Sequence, residues 1–364
     1  MKFLSKLLLA AMALAPSLPT TFSATLQQVT NYGHNPGNVE MWYYIPDCIK
    51  NSVSGRPVVI ALHYCQGTAH NMYAGAHDGP SFREMADKYG FVVLYPNSLN
   101  DPGNCWDVFS QKSLTRNGNW EPQSIINQVQ YAVNTWNVDA SKVFAIGLSS
   151  GAMMVNVLAA LYPDKIAGGA VYAGAPFGCF AGNGYWNNAC AEGHIIKTPQ
   201  QWGDMVRNAY AYGSQRPKLQ LLHNTPDEIL HYNNMEEQIK QWTNVHGYST
   251  TPNAVSYGSP TSAWTRRTYG DRLQGLTSTQ YTHIFPIPAD DTIAYFGIHQ
   301  NAPTACTKPT PTGTAVPTST YTSRVKKWDQ CGGLQYNGPH LCEDGLTCQY
   351  VDPYYWQCKE PVTP

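Results

Sequence analysis

Unbroken apolar runs recur between residues 25 and 301: Pro57 to His63, Phe91 to Tyr95, Lys142 to Ile146, Gly169 to Tyr172 and Leu219 to Leu222. Runs of this length without polar alternation suit strands buried on both faces of a parallel sheet. Between them the period becomes helical. Ser124 to Trp136 puts Ile125, Ile126, Val129 and Val133 at helical spacing, and Met235 to Val245 does the same with Ile239 and Trp242. Ala152 to Tyr162 also reads as a helix. Strands alternating with helices predict a doubly wound α/β sheet.

The pattern stops at both ends. Met1 to Lys6 carries two lysines, and Leu7 to Ala15 is a short apolar run. This is the form of a secretory signal peptide, too short to span a bilayer. Cleavage between Ala15 and Ala24 assigns residues 1–24 to the signal and begins the large domain, 25–303, at Thr25. From Thr304 the composition turns to Thr, Pro and Ser as far as Ser323. Residues 304–327 therefore read as an extended linker suited to O-glycosylation, with nothing to bury. Beyond it, residues 328–364 form a tail that needs disulfides to fold alone.

Composition narrows the class. Charged residues make up 13% of the 364, and the net charge is −1. No bulk field draws the chain to nucleic acid or an anionic membrane. Aromatics reach 12%, with 24 Tyr and 10 Trp, which fits an extracellular protein working on neutral polymers such as polysaccharides. Ten cysteines in an oxidising compartment predict five disulfides. No Cys-x-x-Cys occurs, so a zinc site is the weaker reading of the cluster Cys331, Cys342, Cys348 and Cys358. The pairing of Cys48, Cys179, Cys190 and Cys306 stays open; a local 179–190 loop with a 48–306 terminal clasp is one arrangement. No metal, nucleotide or redox cofactor is indicated.

The chemistry enters at Gly147-Leu148-Ser149-Ser150-Gly151, between a strand and a helix. Strand, Gly-x-Ser-x-Gly, helix is the context of a nucleophile elbow, whose reaction class is acyl transfer through a serine ester. A capping serine on an ordinary turn is the plainer alternative. The acid of such a site follows a later strand, and Asp227 lies in the loop after Leu222. Glu228 is its neighbour, while Asp290 and Asp291 come after the histidine, out of order. The base is expected near the domain's end at His283, ahead of His299, which looks packed against a terminal helix, and His246, which reads as solvent-facing. An oxyanion needs two donors. The backbone N–H groups of Ser150 and Cys65 are the candidates, and a Cys65–Cys105 disulfide would pin the second.

Several motifs in order resemble carbohydrate esterase family 1, the fungal acetylxylan and feruloyl esterases, themselves similar to poly-hydroxybutyrate depolymerases. They are Ala61 to Cys65, Gly90 to Pro96, Cys105 to Val108, Ser149 to Met154 and Ile239 to Trp242. The resemblance implies an α/β-hydrolase fold with Ser149, Asp227 and His283 as the triad and the Cys65 and Ser150 amides as the oxyanion hole. Asn224 stands where that family has glycine, and asparagine tolerates the left-handed region. Ile284 and Phe285 replace smaller residues beside the base, which bears on pocket shape.

The tail resembles the fungal family 1 carbohydrate-binding module through Gln330 to Gly333, Tyr336 to Pro339 and Tyr354 to Cys358. That implies a small β fold stapled by Cys331–Cys348 and Cys342–Cys358. It also implies a flat face of Trp328, Tyr354 and Tyr355, with Gln330 and Gln357 hydrogen-bonding to cellulose. The expectation is a secreted serine esterase acting on acylated xylan, cellulose being the second partner. Acetylxylan is the first substrate and feruloylated arabinoxylan the alternative. A polyester depolymerase and a non-catalytic wall-binding protein are weaker rivals.

Overall fold

A computed structural model describes residues 25–75, 81–100, 102–182, 184–307, 325–332, 342–343, 346–352 and 355–360. The expected signal peptide and linker residues 308–324 lie outside them. The chain divides into two units, one ending at Thr307 and one beginning at Lys308.

The first unit is built on ten strands: β1 (Gln27–Val29), β2 (Val39–Tyr44), β3 (Val58–Leu62), β4 (Val92–Ser98), β5 (Val143–Leu148), β6 (Gly168–Tyr172), β7 (Lys218–Asn224), β8 (Ala254–Tyr257), β9 (Trp264–Tyr269) and β10 (Leu273–Ser278). Their order in one sheet is β1-β2-β4-β3-β5-β6-β7-β10-β9-β8. Strands β4, β3, β5, β6, β7 and β10 are parallel neighbours, and antiparallel strands flank them. The apolar runs in the sequence match the central strands. The flanking strands were not legible as runs, because they are half-exposed. β9 reads Trp-Thr-Arg-Arg-Thr-Tyr, and all four residues of β8 face solvent.

The helices are α1 (Ala69–Ala74), α2 (Phe82–Tyr89), α3 (Glu121–Trp136), α4 (Ser150–Leu161), α5 (Asn188–Ala191), α6 (Pro199–Ala209), α7 (Asn233–His246), α8 (Ala289–Phe296) and a final turn, α9 (Thr304–Thr307). They cover both faces. Val58, Ile60 and Leu62 of β3 pack in one core with Ile125, Val155, Trp202 and Ile239. Val59 and Ala61 point into a second core with Met72, Met85 and Ile293. Every side chain of β3 is therefore buried, the condition that produces an unbroken apolar run. Among the described residues no helix is long and apolar enough to cross a membrane.

Disulfides Cys48–Cys306, Cys65–Cys105 and Cys179–Cys190 brace this unit. The first holds α9 to the unit, although α9 has linker composition. The fold runs to Thr307 because Cys306 is bonded back to Cys48.

In the second unit, β11 (Gln330–Gly332), β12 (Thr347–Asp352) and β13 (Tyr355–Lys359) form an antiparallel sheet in the order β11-β13-β12. Cys342–Cys358 is bonded and Cys331 is also in a disulfide. The three sulfurs that cluster there are thus bridge atoms. The side chains of Cys348 and Tyr355, and all of Tyr354, lie outside the described residues, and with them the expected Cys331–Cys348 bond.

Candidate active site

The chain reverses its direction of sheet growth between β3 and β5, which are adjacent although β4 lies between them in sequence. In open α/β sheets the crevice at such a switch, outside the carboxyl ends of the strands, is where ligands bind. Two loops meet there. One follows Leu62 and holds Cys65; the other follows Leu148 and holds Ser149. Leu62 pairs with Gly147, so both loops leave the sheet at one level.

Ser149 sits at φ 56°, ψ −118°, just ahead of α4. A non-glycine residue held there costs roughly 1–3 kcal/mol. Its neighbours explain how the chain accommodates the turn. A Cβ on Gly147 would strike the Gly151 carbonyl, and one on Gly151 would strike the carbonyls of Leu62 and His63. The Ser149 N–H donates to the Tyr172 carbonyl at 2.9 Å, tying the elbow to the end of β6. The side chain is half-buried.

Asp227 and His283 come from the next parallel strands on that side. β7 ends at Asn224 and β10 at Ser278, and the two loops are laced together. The Thr225 N–H donates to the Ser278 carbonyl at 2.9 Å, and Asn224 Nδ2 donates to the Thr282 carbonyl at 2.9 Å. His283 Nδ1 lies 2.8 Å and 3.0 Å from the two carboxylate oxygens of Asp227. With its proton on Nδ1, the imidazole keeps a lone pair on Nε2. Ser149 Oγ and His283 are not hydrogen-bonded to each other; in serine hydrolysis such a contact tightens in the substrate complex.

Asp227 is buried, and burial alone would raise its pKa. The hydrogen bonds from His223 and His283 outweigh that and hold the carboxyl well below the usual carboxylate range. Its Oδ1 also accepts the N–H groups of Ile229 and Leu230 at 2.9 Å and 2.8 Å. His223 was missed from sequence. Its Nε2 lies 3.1 Å from Asp227 Oδ2 and 2.8 Å from the Leu230 carbonyl. A carbonyl only accepts, so this nitrogen carries the proton. The available signal was the spacing His-x-x-x-Asp with the histidine at the end of a strand.

The loop after β3 is held just as firmly. Cys65 is bonded to Cys105, and the Gln66 N–H donates to the Gly103 carbonyl at 2.6 Å. Ser150 opens α4, where the first N–H groups of a helix have no internal acceptor.

Four expectations change. Asn224 is not left-handed; it is the last residue of β7, and its side chain staples the two loops instead. His246 is not solvent-facing, for its ring lies between Trp242 and Tyr248 and burial pushes its pKa down to about 4. Phe285 turns inward against Tyr172 and Trp264, so only Ile284, 61% exposed, bulks the rim beside His283. His299 is exposed rather than packed against the terminal helix, and Glu228 accepts from the His283 N–H at 3.3 Å. In the second unit, Trp328 is 56% exposed, and Gln357 Nε2 donates to its carbonyl at 2.7 Å. Gln330 is half-buried in β11.

Comparison with known proteins agrees with this architecture. Residues 41–184 match the family described as esterase PHB depolymerase, and residues 327–355 match the fungal cellulose binding domain. Feruloyl esterase B of Talaromyces stipitatus is 39% identical, over 95% of this chain and 98% of its own. Acetylxylan esterase A of Talaromyces purpureogenus is 36% identical, over 92% of this chain and 91% of its own. The solved acetyl xylan esterase from Aspergillus awamori superposes with a TM-score of 0.71 at 40% identity, covering 75% of this chain and 99% of that one. The chain belongs to the family of the fungal acetylxylan and feruloyl esterases, carboxylic ester hydrolases, and carries a fungal cellulose binding domain behind its catalytic fold.

Proposed function

We propose that the protein is a secreted serine esterase that removes acetyl groups from xylan, held at the plant wall by its C-terminal module. The observation that carries the reading is the His283–Asp227 pair, at 2.8 Å, on the same sheet edge as a serine in an elbow conformation. Ser149 Oγ attacks the ester carbonyl and its proton passes to His283 Nε2. Asp227 fixes the tautomer and stabilises the imidazolium. The N–H groups of Ser150 and Cys65 receive the negative oxygen of the tetrahedral intermediate. The C–O bond to the sugar breaks, the sugar oxygen takes the proton from His283, and the acetyl group remains on Ser149 as an ester. Water, deprotonated by His283, then releases acetate and restores the serine.

Feruloyl ester cleavage is the second reading, supported by the match to feruloyl esterase B over nearly the whole chain. A paired assay of acetate release from acetylated xylan and ferulate release from arabinoxylan separates the two. Acetate release dependent on Ser149 supports the first. Ferulate release without acetate release replaces it with the second, and neither product removes both.

A further inference from the structure

Glu121 is completely buried at the first position of α3, yet it caps nothing in its own helix. Its carboxylate receives three short hydrogen bonds from elsewhere: Ser98 Oγ at 2.6 Å, Asn100 Nδ2 at 2.6 Å and the Asp107 N–H at 2.7 Å. Burying a carboxyl group is costly without such partners. An apolar residue would fill the space more cheaply, so the interest lies in what the three donors hold.

They hold the two chain segments against which the Cys65 loop rests. Ser98 ends β4, and its N–H donates to His63 Nε2 at 3.0 Å. Asp107 lies two residues beyond Cys105, the disulfide partner of Cys65. Between them, Trp106 Nε1 donates to the His63 carbonyl at 2.8 Å. His63 is itself fully buried. Because its Nε2 accepts from an amide, its proton must sit on Nδ1, which lies 2.9 Å from the Tyr64 carbonyl. That carbonyl also accepts the Gly67 N–H at 2.9 Å. Across a trans peptide the C=O and N–H point in opposite directions. Anchoring the Tyr64 oxygen therefore sets the direction of the Cys65 N–H.

We infer that Glu121 and His63, joined through Ser98, are positioning residues that aim the Cys65 amide at the developing oxyanion. This rests on the proposed esterase mechanism. A carboxylate thus acts on the reaction from behind two intervening residues, without touching substrate.

The test uses full-length protein and a soluble aryl acetate, with the parent enzyme and Ser149→Ala as controls for the mechanism itself. The two imidazole nitrogens separate by substitution. His63→Asn retains a donor near the Nδ1 position; His63→Gln retains an acceptor near the Nε2 position and loses the bond to Tyr64. Removing a whole oxyanion donor typically costs about 10²–10³-fold in kcat, so a misaimed one is expected to cost about tenfold. His63→Gln and Glu121→Gln should lower kcat by about tenfold with KM within about twofold, while His63→Asn keeps kcat within about threefold. A purely structural role would not split kcat from KM or rank Asn above Gln. Ser98→Ala leaves the backbone and the bond to His63 in place, and keeps the question answerable if a larger change unfolds the protein. Its kcat should fall about threefold. Equal losses in the two His63 variants, losses confined to KM, or an unchanged kcat in Ser98→Ala would each overturn the inference. A parent enzyme whose turnover survives Ser149→Ala would instead overturn the esterase mechanism.

Discussion

The buried pair Glu121 and His63 makes a quantitative prediction about stability. Burial pushes the Glu121 carboxyl from its ordinary 4.5 up to about 7, against the hydrogen bonds from Ser98, Asn100 and Asp107. Burial pushes His63 from 6.5 down to about 4. At 1.36 kcal/mol per pKa unit, each displacement is worth about 3 kcal/mol. The signs are opposite. Between pH 4.5 and 7 the folded chain holds a proton on Glu121 that the unfolded chain has lost, so this group stabilises less as pH rises. Between pH 4 and 6.5 the unfolded chain holds a proton on the histidine that the folded chain refuses, so this group stabilises less as pH falls. Where the windows overlap the two nearly cancel. Single substitutions should uncover each slope. Relative to the parent, Glu121→Gln should lose about 3 kcal/mol on going from pH 7 to pH 4.5, and His63→Asn should gain about as much on the same path. Urea unfolding of parent and variants, followed by tryptophan fluorescence across that range, measures both differences, and groups such as Asp227 drop out of each. Difference curves that are flat, or that slope the same way, would refute the reasoning.

Ser149→Ala should fold normally and lose about 10⁴-fold or more in kcat, measured by acetate release. Asp227→Asn should lose activity on a similar scale, because an amide cannot stabilise the imidazolium of His283; near-parental kcat would exclude it as the orienting acid. Turnover should decline toward acid with a single apparent protonation, since the His283–Asp227 pair must present a neutral Nε2, and a profile with no acid limb would exclude a histidine base. Trp328→Ala should reduce adsorption to cellulose while leaving soluble-ester kinetics unchanged; equal adsorption would move the binding face elsewhere.

The central sheet was legible because burial on both faces removes polar residues from a strand. Val58 to Leu62 cannot be anything but apolar when each residue meets helices on one side or the other. Flanking strands escape that constraint, so β8 and β9 carried no comparable run, whereas β10, though buried, is interrupted by Gln274 and Gly275. The elbow at Ser149 and the contact between Asp227 and His283 could be anticipated because the order of strands confines where such loops emerge. His223 and Glu121 could not. Glu121 contacts Ser98, Asn100 and Asp107 on other elements, and the pattern of its own helix contains no trace of them; His223 had a local signal, its spacing to Asp227, but a histidine at a strand end does not by itself show which group it faces. Asn224 shows the converse: an asparagine at a turn position suggests a backbone role, whereas its side chain does the joining.

The Cys48–Cys306 bond decides how this molecule carries load. The first unit ends at Thr307, so a pull applied from the C-terminal side enters it at Cys306. The covalent bridge, spanning 258 residues of sequence, passes that force directly to Cys48 beside β2. Helix α8 and the adjoining turn are bypassed, and they cannot be peeled from the free end. His283, six residues ahead of α8, is thereby screened from tension that would otherwise unravel the chain toward it. An enzyme held by its cellulose binding domain would be a mechanical element as well as a catalyst, and in this one the point where load enters is bonded covalently to the segment that follows β2.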